Sequence, residues 1–351
     1  MTETQSSAVL SVKDLMVHYP TDEGVVKALD GVSLDIQPGQ TLGVVGESGC
    51  GKSTIGRAIL QILDKPGQIV GGEILWNDPE KGSGSSQVDL TVQEPNGPEM
   101  RAIRGGDIAL VFQEPMTSFS PIHTIGNQMS EAITLHQDKT AAEAKEWSME
   151  LMNMVGIPNP PQRFDEYSYQ LSGGLRQRAM IAMAISCDPK LLIADEPTTA
   201  LDVTTQAQIL DLLRGLQETN KMAIMLITHN LGVIAEMADD VVVMYLGRAV
   251  ESGPVDDIFH QPKHPYSKGL LESIPSVQAS GHERLPSIAG SIPHPFNRPS
   301  GCTFRPRCPS FIPGVCDVNV PQYLTLDGGQ QKVSCFLHHS PSGVEEVSSH
   351  D

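Results

Sequence analysis

"GESGCGKST", residues 46–54, follows the apolar run "LGVV" (42–45) and opens a segment with helical spacing, "KSTIGRAILQIL" (52–63). The stretch satisfies G-x-x-x-x-G-K-[ST], with Gly46, Gly51, Lys52 and Ser53 in register. Glycines let a backbone wrap closely around a phosphate, and the helix N-terminus adds a positive dipole end. The loop residues Glu47, Ser48, Gly49 and Cys50, with Thr54 behind them, then offer backbone N–H groups inward. Lys52 is placed to reach the outer phosphates of a nucleotide and Ser53 to bind Mg²⁺. A strand, a glycine-rich loop and a helix in that order predict a parallel α/β core.

The surrounding sequence agrees. "TLGVV" (41–45), "IALVF" (108–112), "LLIA" (191–194) and "AIMLIT" (223–228) read as buried strands, and the segments after 52, 172, 203 and 230 carry helical spacing. Residues 124–155 lack a strand between two helical patterns, which suggests a helical subdomain set into the core. Residues 77–100 are rich in Gly, Ser and Pro and read as a surface insertion. Prolines accumulate from about residue 253, where a loop-rich second unit is expected. At 351 residues, two unequal domains are the prior, because single cores stop growing at roughly 250–300 residues.

Composition narrows the function classes. The net charge of −18, from 42 acidic and 24 basic residues, argues against nucleic acid as a partner, since backbone binding works through Lys and Arg. No signal peptide and no apolar run near the roughly 18–20 residues of a spanning helix are present, so a cytosolic chain is expected.

A phosphate loop needs a carboxylate at a strand end to hold the Mg²⁺ shell. "KLLIADEP" (190–197) supplies one: Asp195 suits the metal, and Glu196, next along, is placed to orient or deprotonate the attacking water. "LSGGLRQR" (171–178) puts Ser172, Gly173 and Gly174 before another helix, a second phosphate-type N-terminus. As a bare capping motif it would be unremarkable. If it binds nucleotide, a head-to-tail dimer accounts for it, the Ser-Gly-Gly segment of one subunit closing on the nucleotide of the other.

Taken together, these residues resemble the ATP-binding subunits of ABC transporters. The resemblance rests on Walker A (46–54), Gln113 in "VFQEPMTSFSP", the signature at 171–175, Walker B ending in Asp195 and Glu196, "ALD" (200–202) and His229 in "LITHN". It implies a P-loop NTPase core with antiparallel β and helical subdomains, the nucleotide-binding domain covering 1–258 with its helical part at about 114–188. A small loop-rich, cysteine-containing extension with a flexible tail would fill 259–351. It further implies that Tyr19 in "VHYP" stacks on adenine, with ordinary packing as the alternative. Gln113 would sense Mg²⁺ and the γ-phosphate, His229 would contact the γ-phosphate, and Asp202 would belong to the nucleotide site. Lys52, Gln113, Glu196 and His229 are the expected catalytic set.

"HPYSKGLLESIP" (264–275) and "ADEPTTALDVTTQAQIL" (194–210) narrow the resemblance to ATPase subunits of dipeptide and oligopeptide importers. Implied partners are a second ATPase subunit, expected to be a paralogue, two transmembrane permease subunits, and a substrate-binding protein reached through the permease. The implied location is the cytoplasmic face of the membrane, with a coupling helix received around Gln113 to about Ser130. Nickel or glycoside import, or a soluble non-transport ABC ATPase, are the alternatives.

Cys302, Cys308, Cys316 and Cys335 crowd the C-terminal extension, while Cys50 and Cys187 lie in the nucleotide domain. A cytosolic chain disfavours persistent disulfides, and structural zinc wants tighter Cys pairs. Four thiolates on a proline-punctuated loop suit a [4Fe–4S] cluster, and similar cysteine sets occur in peptide-importer extensions. Zinc and unligated or disulfide-linked thiols stay open as alternatives, as do His338 and His339 as substitute ligands.

Overall fold

The computed structural model describes residues 8–79, 87–114, 118–199, 201–273 and 288–340. Residues 80–86 of the 77–100 stretch, 115–117 beyond Gln113, Ala200 of the "ALD" motif, 274–287 and the tail from 341 lie outside the described residues.

In chain order the strands are β1 (Leu10–Thr21), β2 (Gly24–Ile36), β3 (Thr41–Val45), β4 (Gln68–Trp76), β5 (Val88–Asp89), β6 (Ile108–Val111), β7 (Leu191–Asp195), β8 (Ala223–Ile227), β9 (Asp240–Tyr245), β10 (Arg248–Pro254), β11 (Leu324–Thr325) and β12 (Lys332–Val333). They form two sheets, one ordered β2-β1-β4-β5 and antiparallel, the other β11-β12-β10-β9-β3-β8-β7-β6. Strands β9, β3, β8, β7 and β6 run parallel, and β10 and β12 extend that sheet antiparallel. Every residue of β3, β7 and β8 is buried, as a parallel strand covered on both faces requires.

The helices are α1 (Lys52–Ile59), α2 (Pro98–Ile103), α3 (Ile125–His136), α4 (Ala141–Met154), α5 (Pro160–Phe164), α6 (Gly173–Ala184), α7 (Val203–Asn220), α8 (Leu231–Met237), α9 (Val255–His260) and α10 (Pro265–Glu272). Their starts are written in the sequence. Thr124, Thr140, Ser172, Asp202 and Asn230 each accept a backbone N–H at the head of a helix, and Thr140 with Glu143 forms a full capping box. Helices α3 to α6 lie between β6 and β7, with Ile125, Met129, Leu151 and Phe164 in the same apolar core as β7 and β8.

Two stretches differ from expectation. The part of 77–100 that the structure describes is not loose surface: β5 pairs with β4, and Leu90 and Met100 are fully buried in the core under the antiparallel sheet. The C-terminal stretch is also less separate than its prolines suggest. Through β12 it continues the main sheet at Glu251 and Ser252, and Tyr266 and Phe304 enter the main core.

Candidate functional site

The carboxyl ends of β3, β7 and β8 converge on one cleft, the usual ligand position in an open parallel sheet. The turn after β3 is tight enough to require glycine at two places. Gly46 (φ 150°) would put a Cβ 2.3 Å from the Met244 carbonyl oxygen, and Gly51 (φ 101°) one 2.4 Å from that of Ala28. Lys52 is buried, and its Nζ donates to the Gly46 and Glu47 carbonyl oxygens at 2.7 and 3.2 Å. Cys50 is buried beneath the loop, and burial raises its thiol above the ordinary range.

The cleft holds about 550 Å³ and is lined by Ser48, Gly49, Gly51, Lys52, Ser53 and Thr54, by Gln113, Glu196 and His229, by β2, and by His294, Pro295 and Arg298. The Ser53 hydroxyl donates to Asp195 Oδ1 at 3.0 Å. Burial raises the Asp195 carboxyl above its usual range, with the Ser53 bond working against the shift. A hydroxyl and a carboxylate in contact, with the Gln113 amide in the same cleft, form an all-oxygen set of the kind a hard divalent cation takes.

Glu196 leaves β7 with φ 52°, a left-handed conformation that costs energy for any side chain but glycine and is common at functional positions. Its N–H donates to the Ile227 carbonyl oxygen at 2.8 Å. One carboxylate oxygen lies 2.8 Å from His229 Nδ1, and the other accepts from the Thr199 hydroxyl. The acid is buried while His229 is well exposed, so the pair spans from the core to the cleft opening.

Other predicted site residues lie at the margin or apart. Tyr19 stands directly across β1 and β2 from Val26, a cleft residue, with its ring over Gly67. Ser172 and Gly173 are exposed at the head of α6 and do not line this cleft; a Cβ at Gly173 would meet nothing within 4 Å. Asp202 caps α7, and the Thr205 N–H and hydroxyl hold its carboxyl below the usual range. Gln177, buried on α6, donates to the Pro197 carbonyl oxygen at 2.8 Å and so ties the signature helix to the turn carrying Glu196.

The C-terminal extension also reaches the phosphate loop, which sequence motifs did not announce. Arg307 makes a bidentate pair with Glu47 at 2.6 and 3.0 Å, and the Tyr266 hydroxyl accepts the Glu47 N–H at 2.8 Å. Tyr245, Tyr266 and Phe304 pack with ring centroids 4.8 to 5.4 Å apart behind these contacts.

The four C-terminal cysteines are free thiols, and among the described residues no three His, Cys, Asp or Glu side chains are placed to hold a metal ion. The expectation of a formed metal centre is not met in these side-chain positions. The thiols are nonetheless neighbours. Cys302 N–H donates to the Cys316 carbonyl oxygen at 2.8 Å, and Cys335 is pushed up to about 11 by burial and then by Cys302, Cys308 and Cys316.

Comparison with known proteins places this geometry. The ABC transporter family matches residues 29–199, and the oligopeptide/dipeptide transporter C-terminal region matches residues 250–316. The dipeptide transport ATP-binding protein DppD of Haemophilus influenzae is 45% identical over 334 residues, 95% of this chain and 96% of that protein. DppD of Escherichia coli is 43% identical over 324 residues, covering 92% and 95% of the two chains, and a probable peptide ABC transporter ATP-binding protein of Sinorhizobium fredii is 45% identical over 326 residues, covering 93% and 94%. Among solved structures, the ADP- and phosphate-bound dimer of the ATP-binding cassette MJ0796 has the same fold, with TM-score 0.62 at 24% identity over 70% of this chain and 98% of that one. No helix among the described residues is long and apolar enough to cross a membrane. Identity of this extent over nearly the whole chain, on the fold of an ATP-binding cassette, shows that the protein belongs to the family of ABC transporter ATP-binding subunits, which are ATPases.

Proposed function

We propose that the chain is the ATP-hydrolysing motor of a di- or oligopeptide importer, working at the cytoplasmic face of the membrane. The observation that carries this reading is the joining of the phosphate loop to the peptide-transporter-type C-terminal region through Glu47, Tyr266 and Arg307. Lys52 neutralises phosphate charge, Glu196 positions and deprotonates the attacking water, and His229 and Thr199 hold that carboxylate in place. Ser53, Gln113 and Asp195 are the oxygen donors for Mg²⁺, which when bound neutralises charge on the β- and γ-phosphates. Tyr19 stands beside the adenine.

Ser172, Gly173 and Gly174 act on the nucleotide of a facing cassette, expected to be a paralogue. Support comes from the exposure of Ser172 and Gly173 at a helix head and from their absence from the chain's own cleft lining. Asp202 lies on the same approach, next to the well-exposed Val203. ATP held only between closed cassettes gives the differential affinity that drives two permease subunits, and through them a substrate-binding protein. The exposed Ile122, between Gln113 and Ser130, fits a contact with the permease. We also propose that Cys302, Cys308, Cys316 and Cys335 take up a structural [4Fe–4S] cluster, remote from hydrolysis; their mutual proximity in one loop-rich unit supports it.

The test is co-purification with membrane subunits from the source organism, reconstitution into vesicles, and ATPase measurement with binding protein loaded with dipeptides, oligopeptides, nickel or glycosides. Stimulation by peptide alone is expected. Stimulation by nickel or a glycoside would overturn the substrate assignment, and failure to associate with any permease would overturn the transporter role.

A further inference from the structure

The cleft has a wall that the cassette itself does not supply. His294, Pro295 and Arg298 belong to the C-terminal extension, yet they line the same cavity as Lys52, Ser53 and Glu196. They are docked at several points. Phe296 packs on Gly24, where a Cβ would lie 3.5 Å from the ring. Arg298 Nη1 lies 3.3 Å from Asp30 Oδ2, an oxygen that also receives Arg248 Nη2 at 2.6 Å. The Phe296 N–H donates to His294 Nδ1 at 3.4 Å, which leaves the proton of a neutral imidazole on Nε2.

Strand β2 measures where this wall stands. Its Ala28 carbonyl oxygen abuts Gly51 of the phosphate loop, and its Gly24 abuts Phe296. Those two contacts are four residues apart, about 13 Å along an extended strand. Val26, between them, lines the cleft and sits opposite Tyr19. A nucleotide with its phosphates on Gly51, Lys52 and Ser53 and its long axis along β2 therefore brings its nucleoside to the 294–298 turn. His294 is exposed in that wall and offers a flat ring with an N–H donor, while Arg298 is pinned to Asp30.

We propose that His294 is a nucleoside-contacting residue of the ATP site and Arg298 its positioning residue, so that the C-terminal extension contributes directly to ATP recognition. The inference rests on the phosphate-loop reading, and the experiment separates the two. Titrate the full-length chain and its His294→Ala, Arg298→Met and Arg298→Lys variants by calorimetry, with ATP and with inorganic tripolyphosphate, both with Mg²⁺. His294→Ala should weaken ATP about 3- to 10-fold, as loss of a ring contact does, and leave tripolyphosphate unchanged. Arg298→Met should reproduce that selective loss, Arg298→Lys should restore part of it, and the double variant with His294→Ala should be no worse than His294→Ala alone. Unchanged ATP affinity in His294→Ala, or equal weakening of both ligands, overturns the proposal. A parent chain that binds neither ligand overturns the phosphate-loop reading and the proposal with it.

Discussion

Arg307 grips Glu47 with both guanidinium nitrogens, at 2.6 and 3.0 Å, across 260 residues of sequence. Glu47 is the second residue of the glycine-rich loop after β3, and Arg307 is next to Cys308, so a residue of the cysteine segment is tied to that loop. The arginine is nearly fully buried and Glu47 is a quarter exposed, so solvent screens the pair only in part. Arg307→Met should lower stability by about 1–3 kcal/mol, and the loss should shrink when Glu47→Gln is made in the same chain, because the unpaired carboxylate is then gone. Denaturant unfolding of the parent, both single variants and the double variant measures this directly; additive losses would mean that the pair contributes no coupling.

Lys52 and Glu196 should separate binding from turnover. Lys52→Ala removes the cation of the phosphate loop, and ATP affinity should fall beyond the useful range. Glu196→Gln keeps the hydrogen-bonding shape beside His229 and Thr199 but removes the base, so ATP should still bind while phosphate release drops about 10²- to 10⁴-fold. The same variant should form an ATP-dependent dimer with its partner cassette on a sizing column. Near-parental hydrolysis by Glu196→Gln would remove Glu196 from the role assigned to it.

The buried His264 gives the fold an acid limit. Burial, and then the nearby His338, lower its pKa from 6.5 to about 3. The neutral ring is native, with Nδ1 accepting the Tyr266 N–H at 3.0 Å. An unfolded chain takes up a proton below about pH 6.5 that the folded chain refuses, so stability from this group is complete above 6.5 and declines as pH falls toward 3. Between pH 7.5 and 5 the parent should lose about 2 kcal/mol through this histidine. His264→Asn keeps a capping acceptor without a titrating group, and its unfolding midpoint should change correspondingly less over that range.

Anaerobic purification tests the cysteine quartet. About four irons per chain, with brown colour lost in Cys302→Ser, are expected of a cubane on four thiolates. Stoichiometric zinc, or metal-free protein with Cys302→Ser as stable as the parent, would refute the cluster.

What the sequence disclosed and what it withheld divide along contact distance. The phosphate loop, the acids after β7 and His229 were legible because each is a short local pattern, an apolar strand ending in a defined turn. The antiparallel strands β1 and β4 did not read as strands from their residues. Register shifts between Val12 and Leu15 and between Val17 and His18 break the two-residue alternation that would announce them. Arg307 and Arg298 were invisible for another reason: their partners, Glu47 and Asp30, lie some two hundred or more residues away, and an isolated arginine among prolines carries no local sign of its pairing.

The grip of Arg307 on Glu47 also sets an order of events during synthesis. The phosphate loop leaves the ribosome early, but its clamp is 260 residues behind it. At 5–20 residues per second, the loop waits roughly 13–50 s for its partner. Until then Glu47 lacks its countercharge and the edge strand β10 lacks β12. A nascent chain stalled near residue 300 should therefore be the form most open to proteolysis and to chaperones, although the cleft residues from Lys52 to His229 have already been made.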